Sequence, residues 1–346
     1  KSVYDRSGIG IGTSTGRIKM GATVRITQLD GKLPNLAVMK LCHWHKKQGD
    51  TVHFTRTAVP DLFEPKDYDK VYGATIFKFN NKKTDLFKQN YPQAVIGGTG
   101  SDNTYTIEEH LKISDYEYYD YSSYPEFKNS IGFTQRGCRL KCKFCVVPTK
   151  EGKNRHLNSI NNIWRGEPYP KNILLLDNDF FGQPNWQKVC DEIIEGKFKI
   201  CFSQGINIRL INNETAEALT RIPYYDDSFK QRRLYTAWDN IGDEKIFFQG
   251  VETLQHYGIP AKHLMVYMLI GYNPKETWDE IFYRFNKMVQ YGISPYPMIY
   301  DNSNKELKRF QRWVIRRYYE YIPWNMYSTK KRPFFSQRQL QLELEE

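Results

Sequence analysis

The stretch GCRLKCKFC, residues 137–145, carries three of the chain's six cysteines at the spacing C-x3-C-x2-C. Three thiolates on so short a loop can hold a metal cluster. A structural zinc ion ordinarily takes four ligands in a closed tetrahedron. The other cysteines offer no clear fourth. Cys42 falls in a helical segment, Cys190 in a helix among apolar neighbours and Cys201 within a strand, and each reads as a small buried hydrophobe. A cubane [4Fe–4S] cluster has four irons, so three cysteines leave one iron open. An open metal site is a binding site, by the logic that separates catalytic from structural zinc centres. Zinc on the three cysteines plus an outside ligand, in a non-enzymatic nucleic-acid-binding module, is the alternative.

The elements that would position this loop are legible in the surrounding pattern. The chain has 346 residues, 40% hydrophobic and 15% aromatic, a globular composition long enough for two domains. No apolar run reaches the ~18–20 residues of a membrane span, and no signal-peptide pattern is seen. A cytoplasmic location with reduced thiols and no membrane partner is therefore expected.

Residues 1–19 are rich in Gly, Ser and Thr and read as a flexible lead-in; GIGIGTSTG lacks the strand and helix that a phosphate loop requires. Residues 20–113 then alternate strand and helix. ATVRITQL, TVHFTRT, KVYGATIF and QAVIGGTG are strands, and PNLAVMKLCHWHKKQGD is a helix ending at Gly49. The pattern predicts a Rossmann-like parallel sheet. Gly97, Gly98 and Gly100 fall at a strand's carboxyl end, either at a ligand or simply in a tight turn.

Residues 114–128 read as a tyrosine-rich surface linker. A second alternating set fills 129–301, with strands at 130–135, 172–179, 199–205, 234–238, 263–271 and 296–301. Six strands with intervening helices predict a partial (β/α)6 TIM-type barrel, the cysteine loop following its first strand. The fold class is thus α/β throughout, closed by a C-terminal helical tail over 302–346.

That tail is basic. Residues 305–332 hold Lys305, Lys308, Arg309, Arg312, Arg316, Arg317, Lys330, Lys331 and Arg332 against Glu306 and Glu320, most of the chain's net +11. Phe310, Trp313, Val314, Arg317, Tyr318 and Tyr321 fall on one helical stripe. Interleaved Trp and Tyr suit base stacking and phosphate contacts, so a nucleic acid or nucleotide is one candidate substrate. A solvated basic face over a buried lid is the other reading.

C-x3-C-x-aromatic-C after a first barrel strand resembles the radical S-adenosylmethionine (SAM) superfamily. LLLDNDFF, SQGINIRL and VYMLIGYNPKETWDE are similar to the second-, third- and fifth-strand motifs of its subgroup with an N-terminal cobalamin-binding-like domain. LPNLAVMKLCHWHKKQGDTV and AVIGGTG resemble that domain's first helix and Gly-Gly turn. The resemblance implies cluster ligation by Cys138, Cys142 and Cys145, SAM chelated at the open iron, and an external electron donor of flavodoxin or ferredoxin type. It implies that Phe144 packs near the adenine, and that Asp177 and Asn178 meet the SAM amino group. Ser203, Asn207 and Arg209 become candidates for the ribose and carboxylate, with Ile270 and Gly271 along the adenine. Cobalamin is not favoured, because the D-x-H-x-x-G lower-ligand motif is absent. A second cluster is discounted, since Cys42 is the first domain's one cysteine. The reaction on the substrate, whether methyl transfer or another radical chemistry, is left open.

Overall fold

The computed structural model describes residues 21–65, 67–78, 81–103, 105–113 and 119–329. The lead-in, Lys330, Lys331 and Arg332, and residues 114–118 of the expected linker lie outside them. The chain divides into two compact units between Ser123 and Tyr124.

The first unit contains β1 (Thr23–Gln28), α1 (Leu36–Lys47), β2 (Thr51–Thr55), β3 (Lys70–Ala74), α2 (Asn81–Asn90), β4 (Val95–Gly97) and α3 (Ile107–Leu111). The strands form one parallel sheet in the order β2-β1-β3-β4, with Ile26 opposite Phe54 on one side and Tyr72 on the other. This is the expected Rossmann-like arrangement. Asn35 caps α1 by accepting from the Ala37 and Val38 N–H groups. Leu29, Ala58, Val71, Phe87, Tyr91 and Ile96 form a core against one sheet face. The glycine turn after β4 is a close backbone crossing. Gly98 sits at φ +104°, and a Cβ there would lie 2.0 Å from the Thr75 carbonyl oxygen.

The second unit contains β5 (Ser130–Gly132), β6 (Gln135–Arg136), α4 (Val147–Lys150), β7 (Arg155–His156), α5 (Ile160–Ile163), β8 (Asn172–Leu175), α6 (Trp186–Glu195), β9 (Lys199–Phe202), α7 (Asn213–Arg221), β10 (Leu234–Ala237), α8 (Glu244–His256), β11 (Leu264–Ile270), α9 (Trp278–Gln290), β12 (Ser294–Ile299) and α10 (Lys305–Ile315). The expected six strand segments all form, in the expected order. They pair as two three-stranded parallel sheets, β5-β8-β9 and β10-β11-β12, rather than as one ladder. The physical reason lies at the free edge of β9. There the Ile200 N–H donates to Pro223 O and the Tyr225 N–H to Ile200 O, so a loop segment takes the positions β10 would need. One bond, Ile206 N–H to Tyr235 O at 2.7 Å, ties the chain after β9 to β10.

The tail helix α10 buries Leu307, Phe310, Trp313 and Val314 and packs on β12. The Phe310 and Trp313 rings join Trp278, Phe282, Phe285 and Trp324 in one aromatic cluster, and Trp313 Nε1 donates to Ile322 O at 2.8 Å. The helix stops at Ile315 and Arg317 turns left-handed, φ 57°, so Tyr321 leaves the stripe and is 53% exposed. This corrects the stacking reading for Trp313, whose face is spent on the core, and fits the lid reading for Phe310.

Candidate metal-cluster site

The cysteine loop is a closed hairpin, a feature that the pattern of residues did not announce. β6 and β7 pair antiparallel at its base, Gln135 opposite His156 and Arg136 opposite Arg155. Gly137 opens the loop at φ +83°; a Cβ there would lie 2.4 Å from Lys153 O on the returning strand. Its N–H donates to Glu151 Oε2 at 3.1 Å, and the same carboxylate pairs with Arg136 Nε at 3.2 Å. The Gln135 side chain donates to Gly137 O.

The Asp-Asn-Asp run after β8 clamps this hairpin. Asp177 is buried. Its Oδ1 accepts from the Thr134 and Gln135 N–H groups at 2.8 and 3.2 Å, and its Oδ2 from the Thr134 hydroxyl. Burial pushes its pKa up to about 7 despite those bonds. Asp179, also buried, holds the Arg139 guanidinium through two charge-assisted bonds and also accepts from the Arg139 N–H and from Asn154 Nδ2, each at 3.1 Å. Asn178 lines the cavity beside the cysteines and donates to Glu151 Oε2 at 3.1 Å. The expected contact of Asp177 with a SAM amino group therefore meets a carboxylate already committed to the loop.

Cys138, Cys142 and Cys145 line one cavity of about 290 Å³, together with Asn178, Asn207 and Arg209. The Cys138 and Cys145 sulfurs accept from the Leu140 and Val147 N–H groups, each at 3.4 Å. Burial raises both thiols' pKa values, so ionising them calls for a compensating cation. The hydroxyl of Thr236, 2% exposed and also lining the cavity, has no hydrogen-bond partner among the described residues. A buried polar atom without a partner is costly, and a bound ligand would satisfy it.

A second cavity of about 610 Å³ shares Cys142, Phe144, Arg209 and Asp239 with the first and lies at the carboxyl ends of β10 and β11. Leu269, Tyr272 and Glu276 line it, and the Phe144 ring meets Tyr272 edge to face at 5.4 Å. Asp239 Oδ1 accepts from the Leu269 N–H at 2.9 Å, and burial raises its pKa. Neither cavity includes Ser203, whose hydroxyl donates to Leu175 O at 2.8 Å, or Ile270, which is fully buried, or Gly271, which abuts Leu307. Of the SAM contacts expected from the sequence, Phe144, Asn178, Asn207 and Arg209 are brought together. Asp239 and Tyr272 were missed; both follow a strand end, the one signal that would have found them.

Three thiolates around one cavity are the donors that a [4Fe–4S] cluster takes. A cubane takes each thiolate on a different iron, so sulfurs around a shared cavity suffice. Cys42, Cys190 and Cys201 are buried, with pKa values pushed by desolvation to about 11, 12 and 12, and line neither cavity.

Over an alignment of 165 positions that covers 42% of its length, the chain is 26% identical to a tRNA-2-methylthio-N(6)-dimethylallyladenosine synthase of Sulfurihydrogenibium sp. (strain YO3AOP1). That match spans 37% of the relative. No family model matches the chain, and no solved structure matches it. The distant similarity supports the radical SAM superfamily and an enzyme in general. No described helix is long and apolar enough to cross a membrane.

Proposed function

We propose that the chain is a radical SAM enzyme in which Cys138, Cys142 and Cys145 hold three irons of a [4Fe–4S] cluster and SAM takes the fourth. The observation that carries this is the placement of all three cysteines around one cavity that adjoins a larger one at strand carboxyl ends. The cluster would supply an electron to the sulfonium of SAM, whose cleavage gives a 5′-deoxyadenosyl radical for hydrogen abstraction. The chain's own residues bind and orient. Phe144 and Tyr272 form an aromatic wall for an adenine ring. Asn178, Asn207, Thr236 and Asp239 offer acceptors and donors for the amino, carboxylate and hydroxyl groups. The Asp177 and Asp179 clamps keep the ligand sulfurs at fixed spacing.

In this reading the two three-stranded sheets are the halves of a partial barrel, and a flavodoxin- or ferredoxin-type protein provides the electron. The first unit is read as a cobalamin-binding-like scaffold for which cobalamin is not favoured, since the D-x-H-x-x-G motif is absent. Asp30 ties the carboxyl end of β3 by accepting from Thr75 Oγ1, Ile76 N and Phe77 N, at 2.7–3.0 Å. The substrate class favoured is RNA, as the relative's name describes for that protein.

Anaerobic reconstitution, followed by SAM and dithionite, tests the proposal. The expected result is about four irons per chain, release of 5′-deoxyadenosine, and loss of both when the three cysteines become alanine together. A full cluster in that triple variant, or no 5′-deoxyadenosine from the wild type, overturns it.

A further inference from the structure

Among the described residues each cluster-ligand sulfur has one N–H donor, but the donors are of two kinds. Cys138 and Cys145 are served by backbone amides two residues on, at 3.4 Å. Cys142 is approached instead by Arg209, whose Nη2 lies 3.9 Å from Sγ. Arg209 comes from the short turn after β9, 67 residues along the chain. Its other arm, Nη1, donates to Asp243 Oδ2 at 3.0 Å.

The turn is held firmly. Gly250 of α8 lies so close that a Cβ on it would stand 2.3 Å from Ile208 O, and the Ile206 N–H donates to Tyr235 O. The guanidinium is thus aimed from both ends, by packing behind and by Asp243 at the side. Its charge is permanent at any working pH.

We infer that Arg209 is a positioning residue that sets the reduction potential of the cluster through Cys142, with Asp243 holding it in place and offsetting part of its charge. This rests on the cluster reading above. Hydrogen bonds and cationic charge at a thiolate ligand stabilise the reduced, more negative cluster and raise its potential. Of the three ligands, the sulfur so treated is the one that lines both cavities.

The test uses the full chain, reconstituted anaerobically, as wild type, Arg209→Met, Arg209→Lys and Asp243→Asn. Iron and sulfide are counted first, and the potential is then read by EPR-monitored titration without SAM. The expected result is a full cluster in all four proteins. Arg209→Met should disfavour reduction about tenfold, a fall of 59 mV for one electron. Arg209→Lys should fall less, because the charge remains. Asp243→Asn should move the potential upward, because the arginine's charge is no longer offset. Opposite signs from neighbouring residues are not what a loosened fold produces. An unmoved potential in Arg209→Met, or shifts of one sign in Arg209→Met and Asp243→Asn, overturns the inference while the wild type's iron content leaves the cluster reading standing. Loss of the cluster from both arginine variants also overturns it, making Arg209 an assembly residue. A wild type that takes up no iron overturns both readings together.

Discussion

Asp179 grips Arg139 through two parallel bonds, Nε to Oδ2 at 2.7 Å and Nη2 to Oδ1 at 2.9 Å, next to the first cysteine of the loop. Asp179 is 1% exposed, and its Oδ2 also accepts from the Arg139 N–H. The Arg139 side chain is 42% exposed, so water can replace part of these bonds, and Asp179→Ala would cost about 1 kcal/mol. The expected outcome is a lower Tm for the metal-free protein and reduced iron retention after reconstitution, read by denaturation and iron assay. Unchanged iron retention would show that the loop holds its spacing unaided.

Asp177 carries a pH signature. Its folded pKa, about 7, lies above the usual carboxylate value, because burial disfavours the charged form. The folded protein therefore binds this proton more tightly than the unfolded chain. The corresponding stability is complete below the unfolded value of about 3.9 and is lost as pH rises through about 7, by at most ~1.4 kcal/mol per unit. Urea unfolding at pH 5 and pH 8 should show wild type losing more stability over that interval than Asp177→Asn. Equal losses would remove Asp177 as the source.

Gly137→Ala places a side chain at φ +83° and against Lys153 O. The left-handed conformation alone costs an L-residue about 1–2 kcal/mol, and the backbone clash adds to it. The β6–β7 pairing should open, with weaker cluster uptake, while Gly152→Ala, whose Cβ meets nothing within 4 Å, should cost the conformational term alone. Comparing the two variants by Tm and iron content checks this.

In the tail, Trp313→Ala should destabilise by about 3–5 kcal/mol, as for a large aromatic truncated in a core. Its ring is 5% exposed and its Nε1 is bonded to Ile322 O. Reversing the exposed Arg312, Arg316 and Arg317 to Glu should change stability little, by ~0.5 kcal/mol or less each. The same reversal, assayed with an RNA oligonucleotide at low salt, should leave any affinity nearly intact if the tail is a lid. A steep loss with a flattened salt dependence would restore the tail as a phosphate-tracking surface.

Much of this was legible in the residues because it is local. The three cysteines sit on one loop whatever surrounds them, and the β/α alternation follows from side-chain periodicity within short windows. The parallel sheet of the first unit followed from the same alternation, while its strand order β2-β1-β3-β4 came only from the structure. What the chain alone left open depends on partners distant in sequence. Asp177, Asn178 and Asp179 all bond to the cysteine hairpin, and only the place of β8 between β5 and β9 brings the run that follows it to that loop. The same holds for the edge of β9, taken by the Pro223–Tyr225 segment, and for Trp313, whose stripe looked equally fit for solvent until α10 docked on β12. Arg209 reaches Cys142 across 67 residues because packing against α8 directs the turn that carries it. Spacing determines which donors share a loop; tertiary packing determines which charges face them.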